Sequence, residues 1–276
     1  MAPSPSAPTA AGPAGDTLSH VISHGSGNRA AVFLHGVGLS AASFRPLIEV
    51  MGAEGRAVAV PLPGYDGAPM FEPYTMAGLA IRLGQILDGL GIAQADLVGH
   101  SHGGMLALEF AAGRPERVGS LTLVATTPVF GSKDGSFEEQ FLAERFGPLD
   151  AGKTLAEIAP AMVRGAMSPN ADPEAAAAAV AANGEILEAA YRASVRSLIG
   201  FDRRHDLKAI GVPALCVAGA EDKLAPPRSM ERMAQAIPGA RFEVFAGAGH
   251  LPYVERPAEF TKLLHGFLAE ARAAPH

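Results

Sequence analysis

The chain has 276 residues, 48% of them hydrophobic, enough to bury one large α/β core or two small ones. A net charge of -6 with neither sign gathered in blocks gives no nucleic-acid face and no polybasic membrane anchor, so a small molecule is the expected partner, and a homo-oligomer stays compatible. The single cysteine, Cys216, excludes an internal disulfide framework and a cysteine-based metal cluster; inside "PALCVAG" it reads as a small buried hydrophobe.

Residues 1–16, "MAPSPSAPTAAGPAGD", lack the basic start and apolar run of a secretory signal and read as a disordered tail. No apolar run approaches the roughly 20 residues that span a bilayer, and the expected compartment is the cytoplasm. Next, "LSHVISHG" with "GSGN" as its turn predicts an antiparallel hairpin. Near-continuous apolar runs follow at 30–35, 57–60, 95–100, 121–125, 213–219 and 241–246, as expected for strands covered on both faces. Between them, "MAGLAIRLGQILDGLG" gathers Leu79, Leu83, Ile86, Leu87 and Leu90 on one helical face, and "AEFTKLLHGFLAEA" repeats the pattern near the end. This alternation predicts a doubly wound, mostly parallel α/β sheet. The rhythm breaks over 126–210, where only helical patterns occur, with Asp172 as N-cap before Pro173. The expected division is a core of 17–125 and 211–276 with a helical lid of 126–210 between two strands.

The chemistry concentrates where strand 95–100 meets a helix. "GHSHG", Gly99 to Gly103, fits G-x-S-x-G: glycines two before and two after Ser101 permit a turn tight enough to project its hydroxyl from the sheet edge. The backbone N–H of His102, at the helix start, then points where an oxyanion forms. A metal pair of His100 and His102 is disfavoured, because neighbours in such a turn diverge and no third ligand follows at spacing. A phosphate loop lacks its G-K-[ST]. Upstream, "HGVG" imitates part of a dinucleotide fingerprint, but the next strand ends in prolines instead of an acid; as an oxyanion loop it offers the Val37 N–H, with His35 fixing the loop.

In a sheet of this architecture the acid and base follow the serine in that order. Asp222 lies just past the strand "PALCVAG" and His250 just past "RFEVFA", both at the sheet edge that carries Ser101; Asp222 is preferred over its neighbour Glu221. Phe141, Met162 and Met167 are candidate pocket residues in the lid, and Arg164 and Arg192 are candidates to meet a substrate carboxylate.

With "HGVG", "GHSHGGMLALEFAAGRPERVGSLTLV", "VPALCVAGAEDKLAPP" and "IPGARFEVFAGAGHLPYVERPAEF" together, the chain resembles the α/β-hydrolase-fold superfamily from about residue 17 to 271. It is most similar to the bacterial 3-oxoadipate enol-lactonase and meta-cleavage-product hydrolase group. The resemblance implies a small ester, lactone or vinylogous diketone as substrate, with no cofactor and no metal. Leu251 stands where meta-cleavage hydrolases carry Trp, and Ser101 where dehalogenases and epoxide hydrolases carry Asp. The expected reaction is acyl transfer by Ser101, His250 and Asp222. C–C bond hydrolysis, cofactor-free dioxygenation and a non-catalytic ligand receptor are the alternatives on the same fold.

Overall fold

The computed structural model describes residues 15–132 and 134–273. Residues 1–14 of the expected tail lie outside that range, and residues 15 and 16 open a short helix, α1 (Gly15–Leu18). Among the described residues seven strands follow: β1 (Ile22–Gly25), β2 (Arg29–Leu34), β3 (Arg56–Val60), β4 (Gln94–His100), β5 (Val118–Val124), β6 (Ala214–Gly219) and β7 (Arg241–Phe245). They form one sheet in the order β1-β3-β2-β4-β5-β6-β7, parallel except for β1.

Side-chain alternation explains why these runs are apolar throughout. Val32 and Leu34 face one core, Ala31 and Phe33 the other, and both faces are covered. On the first face lie α3 (Met76–Gly89), α4 (His102–Gly113) and α9 (Pro227–Ala236); on the second lie α2 (Arg45–Ala53), α10 (Pro252–Glu255) and α11 (Pro257–Ala273). Cys216 is wholly buried in the first core, and burial pushes its thiol up to about 12, so it stays protonated.

The predicted hairpin is not what forms. β1 is antiparallel, but its partner is β3, with Ile22 opposite Ala59. Strand β2 is flanked by β3 and β4, so no edge is left for β1, which continues the sheet on the far side of β3.

Between β5 and β6 the chain builds α5 (Ser136–Asp150), α6 (Leu155–Ala166), α7 (Pro173–Ala182) and α8 (Glu188–Ser197). Asp172 caps α7 by accepting from Glu174 N–H at 2.8 Å, ahead of Pro173. The helical pattern that runs on from 172 breaks at 183–187. There the backbone leaves the helix to bond the loop after β3: Leu187 N–H donates to Gly64 O at 3.0 Å and Asp66 N–H to Glu185 O at 2.8 Å.

Candidate active site

The turn from β4 into α4 is as tight as the glycine spacing requires. A Cβ on Gly99 would meet the backbone of Gly103 and Gly104, and one on Gly103 would meet the Leu34 carbonyl. Ser101 sits between them at φ 51 and ψ -116, in the left-handed half of backbone space that L-residues avoid. Its N–H donates to Val124 O at 2.9 Å and its carbonyl accepts from the Thr126 hydroxyl at 2.6 Å, which pins the turn to the end of β5.

Ser101 and His250 line one cavity of about 290 Å³ at the C-terminal edge of the parallel strands, roofed by residues of the helical insertion. His250 Nδ1–H donates to Asp222 Oδ2 at 2.8 Å. The other carboxylate oxygen of Asp222 accepts from the N–H groups of Leu224 (2.8 Å) and Ala225 (3.0 Å). Burial raises the Asp222 carboxyl, but the His250 hydrogen bond and charge, with these two amides, outweigh it and hold the group below the usual carboxylate range. Asp222 is therefore an anion that fixes the ring orientation and leaves Nε2 of His250 as the proton acceptor.

Val37 also lines the cavity, in the loop after β2. His35 anchors that loop: its Nε2 accepts from Leu62 N–H at 3.0 Å, so Nδ1 carries the proton and donates to Gly36 O at 2.9 Å. His102 is the first residue of α4, where amides lack intrahelical acceptors. Among the described residues the N–H groups of Val37 and His102 have no hydrogen-bond partner, so both are free to meet an oxyanion.

The side chains of His100 and His102 serve the frame. His100 donates from Nε2 to the His250 carbonyl at 2.8 Å, and its ring lies edge-on to that of His250, centroids 4.9 Å apart. Ser197 Oγ donates to Ser194 O, so His102 Nε2 must donate to Ser197 Oγ, at 2.8 Å. Burial, joined by the His250 ring for His100 and by His35 for His102, pushes both imidazoles down to about 3. Burial also lowers His35. No group of three or more His, Cys, Asp or Glu side chains among the described residues is arranged to hold a metal.

Of the candidate pocket residues, Phe141 and Met162 line the cavity. Met167 does not: at the C-cap of α6 it packs in an apolar cluster with Leu39, Val163 and Leu251, which themselves line the cavity. Arg164 donates to Ala171 O and Arg192 is held by Glu188 and Asp150, so neither points into the cavity; the cations that line it are Arg145 and Lys223.

Sequence reasoning assigned no role to Glu255. Its buried carboxylate accepts from the N–H groups of Gly249 (3.0 Å) and Leu251 (3.1 Å), on either side of His250, and from Ser168 N–H at 2.8 Å. His250 N–H donates to Ala166 O at 2.8 Å. Asn183 Nδ2 donates to Gly38 O at 2.9 Å in the loop of Val37. The insertion is thus bonded to the histidine loop, the loop after β2 and, through Ser197, α4.

Residues 31–263 match the Alpha/beta hydrolase family. The chain is 31% identical, over 85% of its length and 91% of the relative's, to a pimeloyl-[acyl-carrier protein] methyl ester esterase of Neisseria meningitidis serogroup B. It is 32% identical, over 76% of its length and 75% of the relative's, to a 2-hydroxymuconate semialdehyde hydrolase of Pseudomonas putida. Among solved structures, the enol-lactonase from Burkholderia xenovorans LB400 superposes with a TM-score of 0.77 at 24% identity, covering 91% of this chain and 96% of that one, which shows the shared fold. With its mostly parallel seven-stranded sheet and its serine elbow at the strand ends, the chain belongs to the alpha/beta hydrolase family and is a hydrolase.

Proposed function

We propose that the chain is a cofactor-free serine hydrolase that cleaves a small carboxylic ester or lactone through an acyl-enzyme. One observation carries the reading: His250 is held by Asp222 at 2.8 Å and shares a cavity with Ser101, which stands strained at φ 51. The relative named as a methyl ester esterase supports the ester as the bond attacked.

In this reading His250 Nε2 takes the Ser101 proton as Oγ attacks the carbonyl carbon. The carbonyl oxygen becomes an oxyanion held by the Val37 and His102 N–H groups, each worth roughly 2.7 to 4 kcal/mol if it behaves as such donors usually do. The imidazolium, stabilised by the Asp222 anion, protonates the leaving alcohol. Water, deprotonated by the same ring, then releases the acid and restores Ser101. The segment 126–210 acts as a lid over a core of 17–125 and 211–276, and Phe141 and Met162 shape the acyl or alcohol pocket. The charge pattern suits a small-molecule substrate in the cytoplasm, without nucleic acid or membrane as partner.

The test is hydrolysis of a small 4-nitrophenyl ester by wild type and by Ser101→Ala. Turnover that falls below about a tenth in the variant supports the reading; no turnover by wild type overturns it. The relative named as a 2-hydroxymuconate semialdehyde hydrolase favours C–C cleavage of a ring-fission diketone as second reading, and activity confined to such dienes would establish it. Oxygen uptake with a heteroaromatic substrate would mark a dioxygenase, and binding without any turnover a receptor.

A further inference from the structure

The cavity that holds Ser101 and His250 is walled mostly by apolar side chains, yet Glu144 and Arg145 of α5 and Lys223 of the loop after β6 also line it. Glu144 is exposed and accepts from the Gln140 amide at 2.8 Å. Arg145 is half-buried, with its guanidinium over the Phe141 ring, 5.2 Å from the centroid, and against the Tyr191 hydroxyl. Phe141 is itself a wall of the cavity.

What sets Arg145 apart is a place in the cavity wall without an anion. Arg192 is held by Glu188 and Asp150, Arg203 by Glu109 and Arg204 by Asp202, while Arg164 donates to Ala171 O and Arg196 lies over the Phe146 ring; none of these five lines the cavity. Among the described residues no carboxylate lies within ion-pair distance of Arg145. A guanidinium stacked on an aromatic face has its orientation set in advance, while its N–H donors at the edge stay available in a fork that matches a carboxylate. Beside an apolar wall, where water is scarce, such a charge-assisted pair is stronger than at an open surface. Lys223, on an exposed loop at the same cavity, adds a second positive charge, screened by solvent.

We propose that Arg145 is a specificity-determining residue that selects esters or lactones carrying a free carboxylate on the part of the substrate that fills the insertion side of the cavity. The substrate class is then the half-ester or carboxylated lactone, and this inference rests on the ester reading above. The carboxylate pairs with the Arg145 guanidinium while the chain joining it to the scissile carbonyl lies along Phe141 and Met162. No covalent step changes.

The experiment compares mono-4-nitrophenyl adipate with 4-nitrophenyl hexanoate, equal in chain length and differing in the terminal charge. Wild type should show a kcat/KM ratio favouring the anionic ester by about tenfold or more, the scale of one charge-assisted hydrogen-bonded pair. Arg145→Met, which keeps an unbranched apolar side chain but removes the guanidinium, should bring that ratio close to one, and Arg145→Lys should restore part of it. In parallel, monomethyl adipate and methyl hexanoate are titrated calorimetrically into Ser101→Ala and into the same variant carrying Arg145→Met. Tighter binding of the anionic ligand, lost with Arg145→Met, supports the assignment even if neither nitrophenyl ester turns over, an outcome that sinks only the ester reading. A wild-type ratio at or below one, or a preference that survives Arg145→Met in both turnover and binding, overturns the assignment and leaves the ester reading standing.

Discussion

Replacing Ser101 by glycine should make the protein more stable than replacing it by alanine, although both changes remove the hydroxyl. At φ 51 and ψ -116 a residue with a Cβ carries strain on the order of 1–3 kcal/mol, and glycine at that position carries almost none. Against this, glycine widens the unfolded ensemble by about 0.4–1 kcal/mol relative to alanine. Ser101 is the N-cap of α4 but makes no side-chain cap bond, so loss of the hydroxyl removes no cap from either variant. The balance favours Ser101→Gly by about 1 kcal/mol, which in a chain of this size moves Tm by roughly 2–4 °C. Urea and thermal unfolding of the two variants side by side read the difference. A Ser101→Gly protein no more stable than Ser101→Ala would refute strain at the elbow.

Stability should also fall steeply in acid. The folded-state values of His100 and His102, about 3, lie below the unfolded value of about 6.5, so the stability they permit is full above that pH and is lost as the unfolded chain takes up protons below it. Each costs about 1.4 kcal/mol per pH unit, or roughly 5 kcal/mol for the two between pH 6.5 and 4.5. His102→Gln, which keeps a donor for Ser197, should flatten the slope of urea-unfolding free energy against pH by about one proton, and an unchanged slope contradicts the assignment. Glu255→Gln turns an amide donor toward two of the three backbone N–H groups that the carboxylate accepts from; kcat should drop about tenfold or more with KM nearly constant, whereas a loss of stability alone would make Glu255 purely structural. Phe141→Ala should shift kcat/KM between large and small esters by roughly 1 to 3 kcal/mol. Met167→Ala should instead cost about 2–5 kcal/mol of stability and shift ester preference less than Phe141→Ala does, because that side chain does not line the cavity but packs against Leu39, Val163 and Leu251, which do.

The legible parts of this molecule are those fixed by local chemistry. Gly99 and Gly103 announce the elbow because their missing side chains are what the turn needs, and Asp222 and His250 are noticeable for standing just past apolar strands. The pairing of β1 with β3 was hidden because a short polar strand carries no mark of which neighbour it will find. Met167 was misplaced because helical spacing gives a face but not what lies opposite it. Glu255 stood in a quoted segment without a role, since its partners are backbone amides that any residue supplies. Arg145 drew no notice among several arginines; only the fold tells which of them lines the cavity without a carboxylate partner.

The claim on which the account turns is that Ser101 becomes acylated. Wild type mixed with a slowly deacylating 4-nitrophenyl ester and quenched in acid should release a burst of nitrophenol equal to the enzyme concentration, and peptide mass mapping should find the acyl group on Ser101. Nitrophenol released at a steady rate with no acyl group on any peptide, or found on a residue other than Ser101, would contradict it.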